Sequence, residues 1–206
     1  MYKVFVNHKE IILTAIKPKS AKAKVLSLEV TSFEKIRRIL KRTKVKTLYL
    51  IHHDPDNLIP IFKQKLPVTT AGGGVVRNSK NELLFIYRKK KWDLPKGKIE
   101  KKESLESGAK REVKEETGVK KLGVGALAGK TYHIFKRSNR YQLKETYWFF
   151  MKTEYAGKLV PETKEGITKA VWKGSKKTKK ALQKTYPNIA HLFDKTGLLK
   201  TLSEGE

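Results

Sequence analysis

This sequence predicts an α/β protein in two parts, a small α/β unit over residues 1–66 and a larger α/β domain over residues 67–206. Three observations predict it. Short runs of β-branched and aromatic residues alternate with stretches of helical period along the chain. Leu66-Pro67 interrupts that pattern where one set of elements has ended. One helix, over residues 104–117, carries clear start and stop signals and lies between strand-like runs.

The elements follow in order. Residues 2–6 and 11–16 read as a β-hairpin around Asn7-His8-Lys9-Glu10. Ser32 caps a helix with Phe33, Ile36, Ile39 and Leu40 at helical spacing. Residues 45–51 form a buried strand. Asp54 as N-cap and Pro55 in the first turn open a short helix through Leu58, Ile61 and Phe62. The larger domain begins with a strand holding Gly72-Gly73-Gly74, turns at residues 78–81 and returns as a strand over 83–88. A loop with Trp92, Leu94, Pro95 and Gly97 precedes the helix over 104–117, which Gly118 closes at C′. Strands over 122–135 and 141–155 flank a polar turn at 137–140. Pro161, Glu162, Glu165 and Gly166 sit in a loop before a strand that ends at Trp172. Residues 173–184 hold six lysines and no acid, which reads as a basic helix, and a second helix follows Pro187. There is no internal repeat.

The charge is the unusual total. Lys and Arg number 47 against 20 acids, a net charge of +27. Such a field attracts phosphate-rich partners, whether a nucleotide or polyphosphate substrate or a nucleic acid. Both parts share it: residues 1–66 carry 15 basic and 5 acidic groups, and the remainder carries 32 and 15. No apolar run approaches the ~18 residues of a membrane span, so no membrane partner is expected. With no cysteine, a disulfide framework and a thiolate metal site are excluded. No leader pattern opens the chain, and a cytoplasmic location is the simple expectation.

Within this basic chain one segment concentrates carboxylates: Glu100, Glu103, Glu106, Glu112, Glu115 and Glu116. At 100° per residue, Glu112 and Glu116 fall about 20° to either side of Leu105, on the face that also carries Ala109 and Val113. A solvated helix laced with pairs such as Glu106–Lys110 and Arg111–Glu115 accounts for the other charges but not for these two. Carboxylates that close to a core cost several kcal/mol unless a cation neutralises them. Hard oxygen ligands clustered on one face suit Mg²⁺ or Mn²⁺. Arg111, next to Glu112, is placed to orient a carboxylate or keep it ionised.

Gly97, five residues, Glu103, seven residues, Arg111-Glu112-Val113, one residue, Glu115-Glu116, one residue, Gly118-Val119: this spacing resembles a complete Nudix box, with every specified position filled. The resemblance reaches from residue 67 to about 175 and leaves residues 1–66 outside it. It implies an α/β/α sandwich around a mixed sheet, with the box as loop-helix-loop. It also implies divalent-metal-dependent hydrolysis of a nucleoside diphosphate linked to another moiety. By the same resemblance Glu112, Glu115 and Glu116 hold the metals, with Glu112 as ligand or as activator of water. Arg111 orients Glu112, Glu103 pairs with Arg111, and Gly97 permits close backbone approach or offers its carbonyl. Glu165 resembles the further loop acid that serves as ligand or base, with Glu162 as its competitor.

Pro95-Lys96-Gly97 looks more like members acting on dinucleoside or inositol polyphosphates than like Pro-Gly-Gly members. Lys96, Lys98 and Arg88 add charge where a phosphate chain would run. A base could stack on Tyr132, Tyr141, Tyr147 or Phe135. A proline marking many ADP-ribose members is missing, since Ile134 lies in that region. Gly72-Gly73-Gly74 lacks the Lys-Ser/Thr of a phosphate loop and reads as a closely packed strand. His52-His53-Asp54 is accounted for by a strand end and a cap rather than a metal site. The best expectation is hydrolysis of a dinucleoside polyphosphate or a nucleoside triphosphate. The alternatives are removal of pyrophosphate from an RNA 5′ end and a non-catalytic nucleotide- or nucleic-acid-binding module. Residues 1–66 are open between homodimer formation, covering the site and binding a partner.

Overall fold

In the computed structural model, residues 1–42 and 44–203 are described. The chain forms two compact units, Met1–Thr69 with Tyr132–Lys144, and Thr70–Thr131 with Glu145–Glu206.

In the first unit β1 (Tyr2–Val6) and β2 (Lys9–Thr14) form the expected hairpin, with Asn7 at a φ of 55° in the turn. α1 (Phe33–Lys41) starts at Ser32, whose hydroxyl accepts the Lys35 N–H. β4 (Thr47–Ile51) lies parallel to β2, and β3 (Lys24–Ser27) adds a parallel edge beyond it. The outer end of β9 (Gly123–Arg137) pairs parallel to β1 at Tyr132–Ile134. The core joins Ile11, Leu13, Ile36, Leu48, Leu50 and Phe62, all fully buried. Lys9 is buried too, and its ammonium donates to the Leu40 and Arg42 carbonyls that end α1.

The structure departs from the sequence pattern at two points in this unit. β3 was not foreseen, because its four residues follow a lysine-rich stretch without strand alternation. α2 (Leu58–Lys63) starts at Asn57 and not at Asp54. The Asp54 carboxylate accepts instead from the Asp56 N–H at 2.9 Å and the Asn57 amide at 2.6 Å. That local turn holds Asp54 below the usual carboxylate range and delays the helix.

In the second unit the strand order is β11 (Ile167–Lys173), β6 (Leu83–Arg88), β5 (Val68–Asn78), β10 (Arg140–Thr153), β9. The loop before the helix contributes two further strands, β7 (Lys91–Asp93) on β6 and β8 (Lys96–Lys98) on β5. Side-chain alternation sends neighbours to opposite faces. Val76, Leu84 and Phe149 meet Ala109 and Val113 of α3 (Leu105–Thr117). Val75, Leu83, Phe85 and Trp148 meet Ala181 of α4 (Ser175–Leu182), Ile189 and Phe193 of α5 (Pro187–Thr196) and Leu198 of α6 (Leu198–Ser203). The sequence reading did not separate α6 from the helix before it. Gly197, at a φ of 65°, divides them.

The glycine strand brings α3 close to the sheet. A Cβ on Gly72 would stand 2.6 Å from Ile99 Cδ1 and 2.9 Å from Ala109 Cβ. Gly72→Val should therefore push α3 off the sheet and destabilise the protein by about 2 kcal/mol, a fall in Tm of roughly 4–8 °C in a thermal melt.

Candidate active site

α3 runs as its sequence signals specify. The Ser104 hydroxyl accepts the Ser107 N–H at 3.1 Å, and Gly118, at a φ of 69°, ends the helix. The helical period then sets the burial of the acids. Glu112 and Glu116 lie along one edge of the stripe of Ala109 and Val113 and are 7% and 1% exposed, while Glu115 points out. Burial disfavours the charged form and raises the pKa of both. Glu112 is raised despite the Arg111 guanidinium, and Glu116 is pushed up to about 7 despite Lys96 and Arg88.

Arg111 organises one side of the site. Its Nε and Nη2 donate to the two oxygens of Glu103 at 3.2 and 2.7 Å. Its Nη1 donates to Glu112 Oε1 at 2.9 Å and to Glu115 Oε2 at 2.8 Å, one oxygen of each carboxylate. Nη2 also donates to the Lys98 carbonyl, tying the helix to β8. Glu103 further accepts the Glu100 N–H at 2.6 Å, and the Arg111 bonds hold it below the usual carboxylate range. Gly97 in β8 faces the Glu112 carboxylate, and a Cβ there would coincide with it. Only glycine leaves room for the acid against this strand.

Glu116 faces a second group. Its Oε2 accepts the Lys96 N–H at 2.8 Å. Its Oε1 is buried and makes no hydrogen bond, with Arg88 Nη1 at 3.7 Å. Arg88 Nη1 also lies 3.8 Å from Glu165 Oε2, and Arg88 Nε lies 3.4 Å from Asp93 Oδ2. The Lys96 ammonium, 4% exposed, is 2.8 Å from the same Asp93 oxygen. Lys96 and Arg88, read from sequence as a rim for phosphate, thus point at carboxylates, and Lys98 alone of the three is exposed. Asp93 was missed in the sequence. It is buried on β7 between Trp92 and Leu94, and its position in a strand opposite Ile86 was hidden by reading the segment as a loop.

Glu165 ends a 3-10 turn, Thr163–Glu165, and is exposed. Glu162 is committed to that turn, its carboxylate accepting the Lys164 N–H. Tyr132 and Tyr141 belong to the other unit. Tyr132 is buried edge-on to Tyr2, and Tyr141 stands against Phe33. Among the described residues no three acidic or histidine side chains converge on a single point, since Glu112 and Glu115 are turned onto Arg111 and Glu116 onto Lys96.

Residues 68–193 match the NUDIX domain family. Among solved structures, a MutT protein from Methanosarcina mazei Go1 is 23% identical, with a TM-score of 0.51 over 65% of this chain and 95% of its own. A Nudix hydrolase from Nitrosomonas europaea is 20% identical, with a TM-score of 0.47 over 62% of this chain and 86% of its own. An Ap4A hydrolase from C. elegans is 19% identical, with a TM-score of 0.47 over 66% of this chain and 96% of its own. The family match spans more than half of the chain and includes α3 and its flanking strands, so the chain belongs to the Nudix family and is an enzyme of the Nudix pyrophosphohydrolase type.

Proposed function

We propose that this protein hydrolyses a phosphoanhydride bond in a nucleoside diphosphate-linked compound, a dinucleoside polyphosphate or a nucleoside triphosphate, with Mg²⁺ or Mn²⁺. One observation carries the metal requirement: Glu116 is buried with a carboxylate oxygen that makes no hydrogen bond. A buried acceptor without a partner marks a place that an ion or a water can complete, and the other acids on and beside α3 favour an ion. The donors fit a hard divalent cation, because Glu112, Glu115, Glu116 and Glu165 offer only carboxylate oxygens and Gly97 a carbonyl. When bound, the ion neutralises the phosphate oxygens and lowers the pKa of a water near the phosphorus.

The chain's own residues do the positioning. Arg111 holds one oxygen of Glu112 and one of Glu115, and Glu103 fixes Arg111 in turn. Glu165 is the better-placed loop acid to accept a proton from water, since Glu162 is spent in its turn and Arg88 links Glu165 to Glu116. Exposed Lys98, with Lys89, Lys90 and Lys91 beyond β6, supplies charge for a phosphate chain longer than two groups. That supports a polyphosphate over a compact diphosphate.

The test is product release from a panel of triphosphates, dinucleoside polyphosphates, ADP-ribose, diphosphoinositols and 5′-triphosphorylated RNA with either metal. One of the first two classes should turn over, and Glu115→Gln and Glu116→Gln should each lower kcat by about 100-fold or more. Turnover of ADP-ribose alone would overturn the substrate assignment. Arg111→Lys keeps the charge but loses the fork, and should cost about 10- to 100-fold in activity or in the metal concentration needed.

Stability gives an independent check. A carboxyl raised from 4.5 to about 7 binds its proton in the folded state after the unfolded chain has released it. The metal-free protein therefore loses stability as pH rises from about 4.5 to 7 and stays low above that. Glu116→Gln should raise metal-free stability at pH ~8 by roughly 3 kcal/mol and change it by less than about 1 kcal/mol at pH ~5, read by denaturant unfolding. Mg²⁺ should stabilise the wild-type protein at the higher pH and leave the variant nearly unmoved.

A further inference from the structure

The first unit carries a depression of about 380 Å³ lined wholly by its own residues. Phe33, Leu40 and Tyr141 make its apolar surface, and His8, Arg37 and Lys41 stand around it. No aspartate or glutamate lines it. Lys9 also lines it, but its ammonium is committed to the end of α1. The half-buried Tyr141 ring has Phe33 edge-on at 5.4 Å, the Arg37 guanidinium at 6.0 Å and the Lys136 ammonium at 5.9 Å.

The cations continue past the depression. Lys35, Arg38, Lys41 and Arg42 are exposed along α1 and its end, against Glu34 as the helix's one acid. An aromatic ring among cations takes the face of a base and the phosphate beside it. One nucleotide would use Tyr141, Arg37 and Lys41 and leave the remaining row of cations unmatched. A strand with successive phosphates matches both features. We propose that this face of the first unit binds single-stranded nucleic acid, one base seated against Tyr141 and the backbone following α1. This inference stands apart from the hydrolase chemistry, since all its residues lie in the other unit.

The test uses the full chain in chelator and an RNA of about 12 uridines with a 5′-hydroxyl and a 3′ fluorophore, so the metal-dependent site has neither metal nor terminal phosphate to hold. Anisotropy should show binding at about 0.1 M salt. Arg37→Gln with Lys41→Gln should weaken it about tenfold and flatten the slope of log affinity against log salt by about 1.4, two single-strand phosphate contacts. Tyr141→Leu should weaken it about tenfold with the slope unchanged, while Tyr141→Phe keeps wild-type affinity. Lys19→Gln with Lys22→Gln removes equal charge from exposed positions elsewhere in the unit and should change affinity less than about threefold. Absence of binding by the wild type would overturn the proposal. So would equal losses in the Lys19/Lys22 control, which mean diffuse attraction, or displacement of the strand by equimolar uridine monophosphate, which means a small-nucleotide site.

Discussion

The second unit is arranged around the burial of two carboxylates on the core-facing stripe of α3. Glu112 and Glu116 stand one turn apart beside Ala109 and Val113, so the rotation that buries the apolar pair buries the acids with them. Their desolvation must be offset within a few ångströms, and the surroundings do so unequally. Glu112 receives a guanidinium hydrogen bond, whereas Glu116 receives one backbone N–H and two cations, Arg88 and Lys96, shared with Asp93. Glu116, the more deeply buried of the two, keeps the larger upward shift despite these partners, and one of its oxygens makes no hydrogen bond.

The close-packed glycines follow from the same requirement. Gly72 lets Ala109 approach β5, which brings α3 down onto the sheet, and Gly97 leaves the space that the Glu112 carboxylate fills. Arg111 then crosses from the helix to the Lys98 carbonyl and Glu103, so the loop before the helix is fixed by the residue that holds the acids. Backbone approach, helix position and carboxylate orientation are thus one arrangement, and a side chain at either glycine would disturb all three.

Features with a local cause were legible in the sequence. Ser32, Ser104 and Gly118 announce their helix ends because a cap is made by residues within a few positions of it. The burial of Glu112 and Glu116 follows from helical period alone. Features decided by distant partners were not. β3 is a strand because β4 offers it a parallel edge. Asp93 matters because β7 folds back on β6 and delivers its carboxylate to Lys96 and Arg88, and Arg88 lies on another strand. The segment Tyr132–Lys144 joins the first unit through pairing with β1, some 130 positions away in sequence. Asp54 is the instructive intermediate. Its signal was local, but the same carboxylate can cap a helix or close a turn, and composition alone does not choose between them.

The charge distribution bears on the proposed chemistry. Around α3 the acids Asp93, Glu103, Glu112, Glu115, Glu116 and Glu165 face the cations Arg88, Lys96 and Arg111, a local excess of negative charge in a chain of net +27. Uniform positive charge would repel a divalent cation and hold the phosphate without activating it. Uniform negative charge would do the reverse. On the proposed reading, an acidic cluster whose own cations are already paired, in a chain of strong net positive charge, would attract both reactants: a metal by the near field and a polyanion by the far one. Because the far field is screened within about 8 Å at physiological salt and the buried acids much less, ionic strength would, on that reading, act on substrate arrival more than on metal affinity.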